Sequence, residues 1–95
     1  MSTTKSHEVA GDLEIVNPLG LHARAASKLV SLANKYSSEV FLGRGDTEVN
    51  AKSMLGVLML ACAKGSTVQL RCVGADAPAC HEALSTLVRD GFGEI

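Results

Sequence analysis

Apolar and polar residues alternate at the start of the chain. Over residues 9–16 the odd positions Val9, Leu13 and Ile15 are apolar, while positions 8, 12 and 14 are acidic. A period of two sets one face of a strand against a core. Asn17-Pro18-Leu19-Gly20 is a turn signal that ends this strand. The period then lengthens. Leu21, Ala25, Leu29, Leu32 and Tyr36 recur at steps of three and four, flanked by Ala26, Val30 and Ala33. That is the stripe of an amphipathic helix. Residues 39–42 read as a second strand, Gly43-Arg44-Gly45-Asp46 as a hairpin turn, and residues 47–51 as a third strand. Val49 and Ala51 lie on one face of that strand, Glu48 and Asn50 on the other.

Ser53 opens an apolar run over residues 54–63. Serine is a good N-cap and Lys64-Gly65 a good helix stop. The run holds more Leu and Met than β-branched residues, which predicts a short helix. Residues 67–73 alternate again, with Val68, Leu70 and Cys72 inward and Gln69 and Arg71 outward. Residues 74–78 form a loop. A last helix carries Ala79, Ala83, Leu84, Leu87 and Val88 on one face and stops near Gly91. The polar residues 1–6 are expected to be loose. The order β-α-β-β-α-β-α predicts an α+β fold. Its form is an open-faced two-layer sandwich: a four-stranded antiparallel sheet covered on one face by three helices.

Composition narrows the function. Ninety-five residues make a single domain spanning 1–95, and 46% hydrophobic with 20% charged residues is a globular balance. A net charge of -1 and only three aromatic residues argue against nucleic-acid binding. The longest apolar run is ten residues, half of what a membrane span needs (about 20). No signal-peptide stretch precedes it, so a cytoplasmic protein is expected. Cys62, Cys72 and Cys80 then read as free thiols inside a core. Cys80-His81 lacks a second ligand cluster, so no metal site is expected. His7 and His81 read as surface residues.

Chemistry concentrates in Gly20-Leu21-His22-Ala23-Arg24-Ala25-Ala26. A glycine-bearing loop delivers a histidine to the first turn of a helix. Backbone N–H groups there lack intrahelical partners and carry partial positive charge, which suits an anion such as phosphate. Arg24 adds a planar fork of donors for phosphate oxygens. Nearby positive charge favours neutral imidazole over imidazolium. Neutral imidazole has a free lone pair and is a nucleophile. The spacing therefore fits a histidine that takes up and hands on a phosphoryl group. A lone histidine near a helix start is more often one that merely caps the helix or lies on the surface.

Three segments resemble one known family. Asn17-Pro18-Leu19-Gly20-Leu21-His22-Ala23-Arg24-Ala25-Ala26-Ser27-Lys28-Leu29-Val30 is similar to the active-centre segment of the HPr family, the histidine-containing phosphocarriers of the bacterial phosphoenolpyruvate-dependent phosphotransferase system. Residues 49–60 resemble its regulatory serine segment, and residues 63–70 the stretch leading into its last strand. The likeness runs from about residue 8 to residue 93.

The resemblance implies the rest. His22 stands where the family is phosphorylated on Nδ1. Arg24 stands where an arginine assists, and the N–H groups of Ala23 and Arg24 would hold phosphoryl oxygens. Enzyme I would be the donor and EIIA-type domains the acceptors, with no cofactor and no metal. The protein would be a carrier and not an enzyme, and a monomer by default. Ser53 stands at the site modified by HPr kinase/phosphorylase. Met54, Leu55 and Leu58 match the docking surface, whereas Val57, Leu60 and Ala61 fit burial. Apart from the resemblance, Lys28 and Lys52 read either as positive rim charge near the site or, equally, as ordinary surface lysines. Ala25 departs from the family, which most often has proline there; alanine frees one N–H and should retain activity. The alternative is a regulatory protein acting mainly through partner binding, in a nitrogen-related or transporter-less branch. A small-molecule-binding α+β domain would instead show a ligand pocket and no covalent phosphate.

Overall fold

The computed structural model describes residues 7–94. The expectation for residues 1–6 lies outside them. The chain runs β1 (His7–Glu14), α1 (Ala23–Ala33), β2 (Glu39–Arg44), β3 (Thr47–Asn50), α2 (Met54–Met59), β4 (Thr67–Gly74) and α3 (Ala77–Arg89). A 3-10 turn, Gly91–Gly93, follows. The strands form one antiparallel sheet in the order β1-β4-β2-β3, with the helices packed on one face. This is the open-faced sandwich the pattern predicts.

Strand alternation sorts the two faces. Leu13, Val40, Leu42, Val68, Leu70 and Cys72 are buried under the helices. Leu29 of α1 and Leu84 of α3 close over them with no exposed surface. Each such leucine contributes roughly 1.5–3 kcal/mol. The register puts Glu8, Asp12, Glu14, Glu39 and Glu48 on the uncovered face. Arg71 lies among them, bonded to both carboxylate oxygens of Glu48 at 2.8 and 3.0 Å and stacked 4.3 Å from the Phe41 ring. Cys62, Cys72 and Cys80 are buried free thiols, and burial pushes the Cys72 thiol up to about 12.

Several element ends differ from the sequence pattern. β1 stops at Glu14, because Ile15 leaves the ladder to bond Ser66 and Gly65 instead (2.9 and 2.7 Å). β2 runs on to Arg44, which pairs with Thr47, so the hairpin turn is only Gly45-Asp46. α1 starts at Ala23 and ends at Ala33, leaving Leu21 as a buried residue before it and Tyr36 beyond it. α2 ends at Met59, well short of Lys64-Gly65. Ala61 takes φ 52, a left-handed turn that no α-helix passes through, and its side chain faces solvent.

α3 begins at Ala77, with Pro78 inside its first turn and Asp76 before it. Its buried face is Ala77, Cys80, Leu84, Ser85 and Val88. Ala79 is exposed, and Ala83 and Leu87 only border the core. His81 is half-buried: its Nε2 lies 3.2 Å from the Leu70 carbonyl and its Nδ1 3.3 Å from Ser85 Oγ.

Candidate functional site

The site is built where the end of β1 turns into α1. Gly20 N–H bonds the Asn17 carbonyl at 3.1 Å, and the Asn17 amide returns to the Gly20 carbonyl at 2.8 Å. Gly20 has φ +67 and lies so close to the loop after α2 that a Cβ would fall 2.4 Å from the Cys62 carbonyl oxygen. Only glycine permits that approach. Leu21 then donates its N–H to the same carbonyl and buries its side chain.

His22 is the N-cap of α1. Its backbone is extended, its carbonyl accepts from Ala26 N–H at 2.8 Å, and its Nδ1 accepts from Arg24 N–H at 3.3 Å. The capping and the chemical reading of this histidine therefore describe the same side chain. The ring is 26% exposed. The N–H groups of Ala23 and Ala25, in the same first turn, have no partner within the helix. Ala25 is fully buried. The Arg24 side chain lines an open cleft of about 430 Å³ together with Pro18, Leu19, Lys28, Gly93 and Glu94.

Two residues complete the site that the sequence pattern did not single out. Glu94 places Oε2 2.8 Å from His22 Nε2. Its other oxygen accepts from the Asn17 amide at 3.0 Å. The Asn17 amide, and then the His22 ring, hold the Glu94 carboxyl below the usual carboxylate range. Asn17 stands both in the turn signal and at the head of the family-like segment, and its full burial goes with its bonds to Gly20 and Glu94. Glu94 had no local signal at all. It arrives through the 3-10 turn, where Phe92 is buried at φ 57 between two left-handed glycines. The Lys28 ammonium donates to the Phe92 carbonyl at 2.6 Å, so it ties this turn down while its charge stays at the edge of the cleft. Lys52 is not beside His22: its ammonium caps the Tyr36 carbonyl at 2.7 Å, beyond the other end of α1.

Ser53 is the N-cap of α2, its Oγ accepting from Gly56 N–H at 3.2 Å. On α2, Leu55 is 69% and Leu58 39% exposed. Met54 instead packs partly against the core, and Met59, which the docking expectation omitted, is 72% exposed. Met59 sits on the last turn of α2. Among the described residues, no group of three or more His, Cys, Asp or Glu is placed to hold a metal ion.

Residues 9–90 match the family model for the phosphorylation site of the phosphotransferase-system HPr component. The chain is 45% identical over 82 residues to phosphocarrier protein HPr of Neisseria meningitidis, covering 86% of this chain and 92% of that protein. It is 44% identical over 80 residues to phosphocarrier protein NPr of Shewanella violacea, covering 84% and 88%. A crystal structure of HPr from Thermoanaerobacter tengcongensis superposes with a TM-score of 0.89 at 37% identity, over 92% of this chain and 98% of the other. A crystal structure of an HPr dimer from the same organism gives 0.74 at 39% identity, over 86% and 94%.

Proposed function

The chain belongs to the HPr family of phosphocarrier proteins, and from that premise we propose that His22 receives a phosphoryl group from phosphorylated enzyme I and passes it to EIIA-type domains. The observation that supports this most directly is the placement of His22 at the N-cap of α1, with Nδ1 beside the N–H groups of the first turn. A phosphoryl group on Nδ1 takes over the Arg24 N–H that the bare nitrogen now accepts. Ala23 N–H and the Arg24 guanidinium add further donors. The carrier brings the acceptor and a cradle for the group; the partner brings the phosphoryl.

Enzyme I and the EIIA domains dock on the apolar surface around Leu55 and Leu58, which Met59 enlarges. The carrier works as a single-domain cytoplasmic monomer that presents one face to successive partners. Phosphorylation of Ser53 by an HPr kinase/phosphorylase would add about -1.5 to -2 charges at the start of α2. A helix start tolerates that charge, so its effect falls on docking and not on folding. The likeness to an NPr protein supports a second reading, a nitrogen-related or regulatory branch, with the same chemistry at His22.

The test is phosphoryl transfer from phosphoenolpyruvate through enzyme I to the wild type and to His22→Ala, with acid lability scored. Acid-labile phosphate on the wild type alone is expected. An unlabelled wild type, or a labelled His22→Ala, overturns the proposal. Ala25→Pro in the same assay reports what the family's usual proline contributes; a large gain in rate would mean that alanine impairs the site.

A further inference from the structure

We propose that Glu94 is a positioning residue for phosphoryl transfer: its carboxylate, steadied by Asn17, keeps the ring proton of His22 on Nε2 and leaves the Nδ1 lone pair free for the phosphoryl group. This rests on the reading of His22 as the acceptor.

Two contacts on opposite edges of the ring give the same answer. An ionised carboxylate only accepts hydrogen bonds. Nε2, 2.8 Å from Glu94 Oε2, must therefore be the donor. Nδ1 accepts from Arg24 N–H, which requires a lone pair on that nitrogen. In a neutral imidazole the bond made by one nitrogen sets the state of the other. The carboxylate of a hydrolase triad orients its histidine in the same manner.

Glu94 is itself held from two directions. Asn17, fully buried, donates to its second oxygen. The buried Phe92 anchors the turn that carries it, and Lys28 grips the Phe92 carbonyl. The charged groups facing the site are Arg24 and Lys28 from α1 and Glu94 from the terminal turn. Asn17 is neutral, and the loop after α2 meets the site through the Cys62 carbonyl. Glu94 supplies the negative charge at the ring.

That charge matters once the group is on. As the phosphoryl arrives, the donor's nitrogen–phosphorus bond breaks and its electron pair stays on the donor nitrogen. The Nδ1 lone pair forms the new bond. The Nε2 proton stays in place, and the ring becomes a cation facing the carboxylate. On transfer to the acceptor the Nδ1–phosphorus bond breaks and its pair returns to Nδ1. No proton has to be found or lost in either direction.

The experiment compares wild type, Glu94→Gln and Glu94→Asp by nitrogen-15 NMR of the His22 ring and by the pH profile of phosphoryl transfer from enzyme I. The wild type should show predominantly the Nε2–H tautomer. Glu94→Gln should move the ratio toward Nδ1–H and slow transfer roughly tenfold, the lower end of what partners of metal-bound histidines contribute. Glu94→Asp should recover part of the loss. A wild-type ring that is mainly Nδ1–H overturns the proposal, whatever the variants do. So does a Glu94→Gln protein with unchanged tautomer ratio, rate and profile. An unlabelled wild type would sink the carrier reading itself, whereas a labelled wild type matched in every readout by Glu94→Gln would sink only the role of Glu94.

Discussion

Leu21 donates its backbone N–H to the Cys62 carbonyl at 2.9 Å, so the loop that closes α2 supports the residue next to His22. Gly20 lies against the same carbonyl. A methyl group there would meet Cys62 O at 2.4 Å and Ala63 Cα at 2.9 Å, on a backbone with φ +67. Both neighbours are main chain and cannot swing aside. Gly20→Ala should cost about 2–3 kcal/mol, read as a lower urea midpoint. It should also slow phosphorylation of His22, because relieving the clash moves the start of α1.

Ala61 offers the opposite test. It holds a left-handed conformation (φ 52) with its side chain in solvent, so no packing is lost by removing the methyl. Alanine in this region costs about 1–2 kcal/mol, partly offset by the greater freedom of glycine in the unfolded chain. Ala61→Gly should raise stability by about 0.5–1 kcal/mol in urea titrations. A destabilised variant would mean that the methyl group has a partner.

Asp76 ties α3 to the segment before β2. Its carboxylate accepts from the Ser38 hydroxyl and from the N–H groups of Ser37 and Ser38, both at 2.9 Å. The Ser38 hydroxyl first, then these amides, hold the carboxyl down at about 2, against an ordinary 3.8. A depressed carboxylate contributes stability above its unfolded value, and that contribution is lost as pH falls through the folded one. Asp76→Asn should therefore melt lower at pH 7. Its gap from wild type should close between about pH 4 and pH 2, and melting curves across that window check it.

The apolar surface of α2 separates two kinds of methionine. Met59 is exposed, whereas Met54 packs partly on the core. Met59→Lys and Leu55→Lys should leave the melting temperature nearly unchanged and weaken enzyme I binding about tenfold each, equivalent to about 1.4 kcal/mol. Met54→Ala should instead lower stability first. Binding by calorimetry and melting by circular dichroism distinguish the two.

What the sequence could show follows from the range of each signal. Alternation and helical periodicity are local, so the four strands, the three helices and the order of elements were legible. The ends of α2 and α3 were not, because they depend on a left-handed alanine and on a proline admitted to a first turn. Within the site, His22, Arg24 and Ser53 stand in recognisable local patterns. Glu94 meets His22 across 72 residues and Asn17 across 77, and no periodicity reaches that far. The carbonyl partners of Lys28 and Lys52 were hidden for the same reason: a charge read in one dimension shows no partner until the fold brings one to it.

The separation of Asn17 from Glu94 also has a consequence in time. As the chain leaves the ribosome, β1 and the histidine segment emerge early, while β4, the strand that pairs with β1, follows far behind. The carboxylate that closes on the imidazole comes later still. A nascent chain thus displays His22 long before the Glu94 carboxylate can reach its ring. Synthesis itself then fixes the order in which the contacts of the ring can form, the Arg24 N–H first and the Glu94 carboxylate last.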